Sequence, residues 1–228
     1  MILLHIETST HVCSVALTEG ETILFQKQNR EGMNHAALLS IFIDEALNLL
    51  KIEVKKLDAV VVSGGPGSYT GLRIGASTAK GLCYGFDIPL LSVSTLEIMT
   101  IDAIKQTTAL NPDDLFIPMI DARRMEVYDA VFGSDLRLIR DINAEIITEI
   151  FFENWNNSGK VYFFGNGAEK CRPFINNLKF HFIPDIHPLA ENMIIPAMKK
   201  FKAGIFEDVA YFEPFYLKEF FTTAKKLI

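Results

Sequence analysis

The chain lacks the long apolar segments that membrane insertion requires. Its first residues, MILLHIETST, have no basic start and are interrupted by His5 and Glu7, so they do not resemble a secretory signal. The most apolar helix-like stretch, residues 36–50, is too short to span a bilayer and contains Asp44 and Glu45. These absences predict a cytoplasmic protein without a membrane segment.

Cysteine and positive charge are also scarce. The three cysteines form no C-x-x-C pair, which is typical of reduced thiols and not of a disulfide framework. The formal net charge is −6, with 22 basic and 28 acidic residues. Because nucleic-acid binding depends on many Lys and Arg contacts to phosphates, we expect the isolated chain to bind nucleic acid poorly. With 228 residues, 49% of them hydrophobic, the chain is predicted to form one or two compact domains.

A glycine-rich stretch at residues 63–75, SGGPGSYTGLRIG, directly follows the apolar run at residues 58–62. A glycine-rich turn between a buried strand and a helix is a common phosphate-binding element. The P-loop template needs a lysine, but none lies between residue 63 and Lys80, and the dinucleotide fingerprint needs its third glycine one position before Gly71. Both nucleotide templates fail. A simple chain-reversing turn remains the alternative.

The spacing of apolar residues predicts an α/β fold made of two similar units. The first unit, residues 1–110, has the predicted order β-β-β-α-β-α-β-α, with strands at 2–8, 12–18, 22–28, 59–62 and 90–93 and helices at 34–50, 70–86 and from 95. The second unit, residues 111–206, lacks the first long helix and has predicted strands at 116–120, 126–132, 136–147, 161–164 and 180–183 and helices at 165–177 and 189–202. The aromatic tail, residues 207–228, is expected to pack back onto the body.

Five motifs resemble the TsaB (YeaZ) family. They are IETST at residues 6–10, NHxxLL at 34–39, GGPGSYTGLRIG at 64–75, DARRMEVY at 121–128 and PFYLK at 214–218. The resemblance spans the whole chain and implies membership of the ASKHA superfamily, in which two RNase H-like domains lie side by side. It also implies a role in making threonylcarbamoyladenosine next to the anticodon of tRNA, together with the catalytic paralogue TsaD and the ATPase TsaE.

The resemblance also indicates where the paralogue would bind a metal. The block GVHHMEAH of TsaD places two histidines four residues apart on one helix face. When the valine of this block is aligned with Val93, the two ligand positions correspond to Thr95 and Met99 in this chain. The five histidines of the chain form no H-x-x-x-H or H-E-x-x-H pattern. The sequence therefore predicts no metal site, which also argues against a metallopeptidase.

A residual nucleotide site is the second hypothesis that the resemblance raises. ASKHA kinases hold magnesium and phosphates at the first hairpin with an aspartate and nearby glycine and hydroxyl residues. The corresponding residues here are Glu7, Thr8 and Ser9. Glu7 is one methylene longer than aspartate and the turn contains no glycine, so the match to a phosphate site is poor.

Small residues recur on the helix after the glycine-rich turn, where Gly71, Gly75 and Ala79 lie four residues apart. Each interior glycine costs a helix about 0.5–1 kcal/mol, which suggests a use such as close approach of a partner helix. The preceding helix is apolar over more than one stripe. The predicted partner-binding residues are His35, Leu38, Leu39, Phe42, Tyr69, Gly71, Leu72, Arg73, Gly75 and Ala79. The alternative is that the two helices pack on each other within one monomer.

The sequence and the resemblance together predict a non-catalytic partner subunit. Its first two helices would pair with those of TsaD, or with a second copy of the chain when TsaD is absent. ATP, magnesium and the catalytic metal are expected on the partner proteins, and tRNA is expected to bind only through the complex. The rival hypothesis is a stand-alone ATP-dependent enzyme of the ASKHA type with an acidic site around Glu7.

Overall fold

The fold, seen in a computed structural model, contains two five-stranded mixed sheets. The structure describes residues 1–32, 34–155, 159–174 and 178–217. The strands of the first sheet are β1 (Ile2–Glu7), β2 (Cys13–Glu19), β3 (Thr22–Asn29), β4 (Ala59–Ser63) and β5 (Leu90–Val93). They lie in the order β3-β2-β1-β4-β5; the first three are antiparallel neighbours, whereas β4 and β5 run parallel to β1.

The second sheet repeats this arrangement. Its strands are β6 (Leu115–Asp121), β7 (Glu126–Gly133), β8 (Leu138–Ile146), β9 (Val161–Phe164) and β10 (Phe180–Ile183). They lie in the order β10-β9-β6-β7-β8, with β6–β8 antiparallel and β9 and β10 parallel to β6. Each sheet therefore has a three-stranded meander extended by two parallel strands, so the repeated α/β unit predicted from the sequence is confirmed.

The helices of the first unit match their predicted positions closely. They are α1 (His35–Leu50), α2 (Tyr69–Phe86) and α3 (Thr95–Gln106). On one face of the first sheet, α1 and α2 cover the alternating apolar residues of the strands, among them Leu4, Ile6, Val60 and Val62. The core of this unit lies there.

The helices of the second unit are shorter than predicted. A five-residue helix, α4 (Glu149–Glu153), stands where no helix was expected. Residues Ala168–Phe174 form a 3-10 helix and not the predicted α-helix, since the ring of Pro173 would clash with the carbonyl of Glu169 in an α-helix. The predicted helix end at 175–177 lies outside the described residues. The last predicted helix divides into a 3-10 turn, Ala190–Met193, and α5 (Ile194–Lys202).

The last helix of each unit packs against the sheet of the other unit. α3 contacts β6 through Leu96 and Met99, which lie in one apolar cluster with Phe116. α5 contacts β5, and its Ala197 lies in a cluster with Leu91. The two helices thereby join the two sheets.

The described part of the C-terminal segment, residues 207–217, lies against the first unit. The Glu207 amide donates to the carbonyl of Leu90 at 2.9 Å, and the Phe215 amide donates to the carbonyl of Gly64 at 2.7 Å. The Lys80 ammonium group donates to the carbonyl of Phe212 at 3.0 Å. The rest of the predicted tail, residues 218–228, lies outside the described residues. None of the helices in the described ranges has both the length and the apolarity needed to cross a bilayer.

Candidate functional site

The glycine-rich loop between β4 and α2 packs against the turn between β1 and β2. The Ser68 amide donates to the Ser9 carbonyl at 2.6 Å. A Cβ atom added to Gly67 would lie within 3.0 Å of that same carbonyl oxygen. The glycine therefore allows two backbone segments to approach closely, and the space next to it is filled by the chain itself.

The small-residue face of α2 is buried inside the protein. Gly71, Gly75 and Ala79 are all buried. An added Cβ at Gly71 would lie within 3.0 Å of the Thr8 carbonyl oxygen, and one at Gly75 within 3.0 Å of Thr8 Oγ1. The Thr8 hydroxyl in turn donates to the Gly71 carbonyl at 2.8 Å. The expectation that this face is free to meet a partner helix is wrong, because the β1–β2 turn occupies it.

Most of the other predicted partner-binding residues also belong to the core. His35, Leu39, Phe42 and Leu72 are at most 4% exposed. The His35 ring bonds through Nε2 to the Thr10 carbonyl at 2.7 Å, which ties the start of α1 to the β1–β2 turn. These residues hold α1 and α2 on the first sheet. The prediction that they lie on a free surface is therefore wrong.

Three predicted residues do reach the surface. Leu38 is half-buried, Arg73 is exposed and Tyr69 is 36% exposed. The Arg73 guanidinium donates to the Tyr69 hydroxyl at 2.8 Å, and the Tyr69 ring lies 5.0 Å from that of Tyr216. Tyr69 and Arg73 thus mark the end of α2 that adjoins the C-terminal segment.

A second small-residue face on α2, which sequence reasoning missed, points outward. Ser77, Gly81 and Gly85 are exposed and lie four residues apart. A Cβ added to either glycine would meet nothing within 4 Å. Tyr84 is 87% exposed beside them. This set is offset by six residues, or about 240° on a helix, from the buried set that begins at Gly71. The spacing of the glycines could have revealed it.

The outer surface of α1 also exposes large apolar side chains. Leu49 is 70% exposed and Ile41 is 50% exposed. We call the exposed residues Ile41, Leu49, Ser77, Gly81, Tyr84 and Gly85 the outer helix surface. Its members are exposed apolar side chains of α1 and small residues and one aromatic ring of α2, and the two helices contact each other.

Glu7, the candidate acidic residue, is completely buried. Its Oε1 accepts hydrogen bonds from the Ser9 amide and the Ser9 hydroxyl, both at 2.5 Å. Its Oε2 has no hydrogen-bond partner among the described residues. Burial raises the pKa of the carboxyl group from 4.5 to about 7, so the proton is partly retained at neutral pH.

These contacts do not fit a magnesium–phosphate site at Glu7, Thr8 and Ser9. The Ser9 amide and hydroxyl bond to Glu7, while the Thr8 hydroxyl bonds to Gly71. Phosphate binding at a hairpin needs unpaired amides, and magnesium needs ionised or carbonyl oxygens open to water. Ser9 instead bonds to Glu7 and Thr8 to Gly71 inside the protein, and among the described residues only Oε2 of Glu7 is left without a partner in this group of three.

The two positions that correspond to metal ligands in the paralogue are part of the interior. Thr95 is buried at the start of α3, where its amide donates to the Gly65 carbonyl at 2.9 Å. Met99 is 1% exposed and packs in the apolar cluster between the units. In the described part of the chain, no group of three or more His, Cys, Asp or Glu side chains is arranged to hold a metal ion.

Comparison with known protein families and proteins gives consistent matches. The family model TsaD, tRNA N6-adenosine threonylcarbamoyltransferase, matches residues 29–219. The tRNA threonylcarbamoyladenosine biosynthesis protein TsaB of Escherichia coli (strain K12) is 31% identical, over 96% of this chain and 95% of that protein. TsaB of Bacillus subtilis (strain 168) is 33% identical over 58% of this chain and 55% of that protein, so this alignment spans about half of each. A tRNA N6-adenosine threonylcarbamoyltransferase of Geotalea daltonii is 38% identical over 63 residues, 28% of this chain and 18% of that protein.

Solved structures agree with these matches. YeaZ from Pseudomonas aeruginosa superposes with a TM-score of 0.81 at 25% identity, over 95% of this chain and all of that one. The ethanolamine utilization protein EutJ from Carboxydothermus hydrogenoformans superposes with a TM-score of 0.51 at 11% identity, over 85% of this chain and 89% of that one, and shows the fold alone. The predicted pair of RNase H-like domains of the ASKHA type is thereby confirmed. The chain belongs to the TsaB (YeaZ) family of tRNA threonylcarbamoyladenosine biosynthesis proteins, a branch of the wider TsaD family.

Proposed function

We propose that this chain is a non-catalytic subunit that binds and activates a TsaD-like transferase, in cooperation with a TsaE-like ATPase, in the cytoplasm. ATP, magnesium and the catalytic metal would be held by these partners, and tRNA would bind only through the assembled complex. The observation that carries the proposal is the outer helix surface, which leaves apolar and small residues uncovered in the isolated chain.

The interior of the protein supports the non-catalytic part of the proposal. A catalytic ASKHA site needs an ionised acidic group open to a cleft, whereas Glu7 is buried and its pKa is raised to about 7. A metal site needs ligands, whereas the corresponding positions hold Thr95 and Met99 in the core. Glu7, Thr95 and Met99 are thus all enclosed in the interior of the protein, away from any cleft that a substrate could enter.

The family relationship supports the choice of partner. The TsaD family model matches residues 29–219, which include α1 and α2, so a transferase of that family is expected to carry equivalent helices. Helices of similar shape can pair about a local two-fold axis, as in homodimers, and small residues such as Gly81 allow the helix backbones to approach closely. The same surface would form a homodimer when the transferase is absent.

The substitution Gly81→Arg tests the proposal. A Cβ atom at this exposed position meets nothing within 4 Å, and removing an exposed helix glycine favours the helix by about 0.5–1 kcal/mol. The variant should therefore keep its circular dichroism spectrum and should melt at or slightly above the wild-type temperature. It should fail to retain the transferase in a pull-down assay and should leave tRNA unmodified in the reconstituted system.

A matched control is Thr22→Arg, which adds the same charge at an exposed position at the start of β3, outside both helices. It should retain the transferase. If folded Gly81→Arg protein binds the transferase as well as the control does, the outer helix surface is not the interface. Sedimentation of both variants alone would show whether the same surface forms a homodimer.

The rival hypothesis of a stand-alone ATP-dependent enzyme makes an opposite prediction. Purified chain that hydrolyses ATP with magnesium, and loses this activity in Glu7→Gln, would contradict the non-catalytic proposal.

A separate expectation follows from the net charge of −6: the isolated chain should bind tRNA weakly while being required for modification by the complete set of proteins. Tight, salt-sensitive binding of tRNA by the chain alone would count against it.

A further inference from the structure

A cavity of about 390 Å³ lies where the C-terminal segment crosses the first sheet. Gly64, just after β4, and Ser92, near the end of β5, form one side of it, and residues of the segment 207–215 form the other. The carboxyl ends of parallel strands are the common place for ligands in α/β folds. The volume is within the range of roughly 300–1,000 Å³ that is typical of small-molecule sites.

The walls of this cavity are held by hydrogen bonds between distant parts of the chain. The Phe215 amide donates to the Gly64 carbonyl at 2.7 Å. The Ser92 hydroxyl donates to a carboxylate oxygen of Glu207, whose amide bonds to the carbonyl of Leu90 at 2.9 Å. The backbone of the segment is therefore anchored at both ends of the cavity, and the Glu207 side chain is held by Ser92.

The residues that line the cavity carry one sign of charge. Three of them have carboxyl groups, on Glu207, Asp208 and Glu213, and none has a basic side chain. Among the described residues, two ammonium groups bond to carbonyls of the lining and keep their positive charge, that of Lys200 at Ser92 at 2.7 Å and that of Lys80 at Phe212 at 3.0 Å. The three carboxylates outnumber these two ammonium groups, so the described surroundings of the cavity carry a net negative charge that favours a cation.

Aromatic rings complete the lining. Tyr211 is 83% exposed and Phe215 is 48% exposed, although both belong to an ordered, hydrogen-bonded segment. The faces of aromatic rings attract cations, and the apolar parts of the rings bury alkyl chains. Carboxylates and rings around one cavity fit an organic cation better than a bare metal ion, which would require several converging oxygen ligands.

We propose that this cavity binds an alkylammonium group, carried either by a free polyamine or by a lysine side chain. The ammonium would lie among the carboxylates of Glu207, Asp208 and Glu213, and the alkyl chain would lie along the rings of Tyr211 and Phe215. The proposal is independent of the transferase interface, since no lining residue belongs to the outer helix surface.

The test is calorimetric titration of the full chain with spermidine and, separately, with Nα-acetyl-lysine amide at low ionic strength. Glu213→Gln is the informative variant. Glu213 is exposed, whereas Glu207 bonds to Ser92 and Asp208 accepts two backbone amides of its own segment. Loss of one unit charge at contact distance should weaken binding about five-fold. Tyr211→Ala should also weaken it, and added salt should weaken binding to every variant.

Glu19→Gln is the control, because it removes one exposed negative charge at the end of β2. It should bind as the wild type does. Binding of spermidine alone would identify a polyamine site, and comparable binding of the lysine derivative would indicate a site for a lysine side chain. The proposal is overturned if neither compound gives saturable binding, or if Glu213→Gln and Glu19→Gln bind equally well while circular dichroism shows both folded.

Discussion

Replacing Glu7 with glutamine is expected to stabilise the protein above neutral pH. The folded protein buries the Glu7 carboxyl group and thereby raises its pKa from 4.5 to about 7. The unfolded chain releases this proton near the ordinary value, so stability is highest below about pH 4.5 and falls as the pH rises through about 7. At about 1.4 kcal/mol per pKa unit, the full loss is about 3 kcal/mol.

Glutamine cannot ionise and keeps an oxygen that can accept the two hydrogen bonds from Ser9. At about pH 8 the variant should be more stable than the wild type by up to about 3 kcal/mol, which corresponds to a rise in melting temperature of roughly 6–12 °C. At about pH 5 the difference should fall below about 1 kcal/mol, since the wild-type carboxyl group is then protonated in the folded state and only the unfolded chain ionises.

Urea unfolding followed by circular dichroism at the two pH values measures this difference, with Glu19→Gln as the exposed control. Equal stability changes at both pH values for Glu7→Gln would refute the reasoning. So would a loss of stability that is largest at alkaline pH, because it would mean that the folded protein supports an ionised Glu7. The same variant serves the ATP hydrolysis assay, so one protein tests both the buried carboxyl group and the rival function.

Other perturbations probe the packing. Gly75→Ala should destabilise the protein by about 1–3 kcal/mol, because its methyl group would collide with the Thr8 hydroxyl; an unchanged melting temperature would show that the β1–β2 turn can move away. Arg140→Gln should destabilise the protein by about 2–3 kcal/mol in urea unfolding, because it removes the ion-pair partner of the buried Asp129. The loss should grow as the pH rises, since burial already raises the pKa of Asp129 to about 7. A loss that does not depend on pH would contradict this. Thiol reagents should modify Cys13, Cys83 and Cys171 only as the protein unfolds, since burial raises the pKa of each thiol to about 11 or 12. Rapid modification of the native protein would contradict the burial of these cysteines.

The strands could be predicted because their sequences are short apolar runs bounded by turns. β4, with the sequence AVVVS, is buried along its whole length, and its boundary was predicted within one residue. The helices of the second unit were harder to predict. The chain around Pro173 has helix-forming neighbours, but the proline ring would clash with the carbonyl of Glu169 in an α-helix, and α4 is too short to show a full apolar period.

The candidate site could be predicted only in part. Periodicity reveals which residues of α2 share a face, but it does not reveal which face the β1–β2 turn will occupy. Gly71 and Gly81 have the same chemistry and opposite surroundings, because the Thr8 carbonyl adjoins one and solvent adjoins the other. The raised pKa of Glu7 depends on the sheet and helices that enclose it, which no local pattern encodes.

The packing of α3 on the second sheet and of α5 on the first sheet has a consequence for folding. A fragment ending at residue 110 would contain α3 without β6, and its β5 would lose the cover of α5. Leu96 and Met99 on α3, together with Leu91 on β5, would then be exposed to water. Burying such side chains contributes about 1.5–3 kcal/mol each, a large share of the net stability of an ordinary domain. Neither unit should therefore fold autonomously, and the whole chain should unfold in a single cooperative transition.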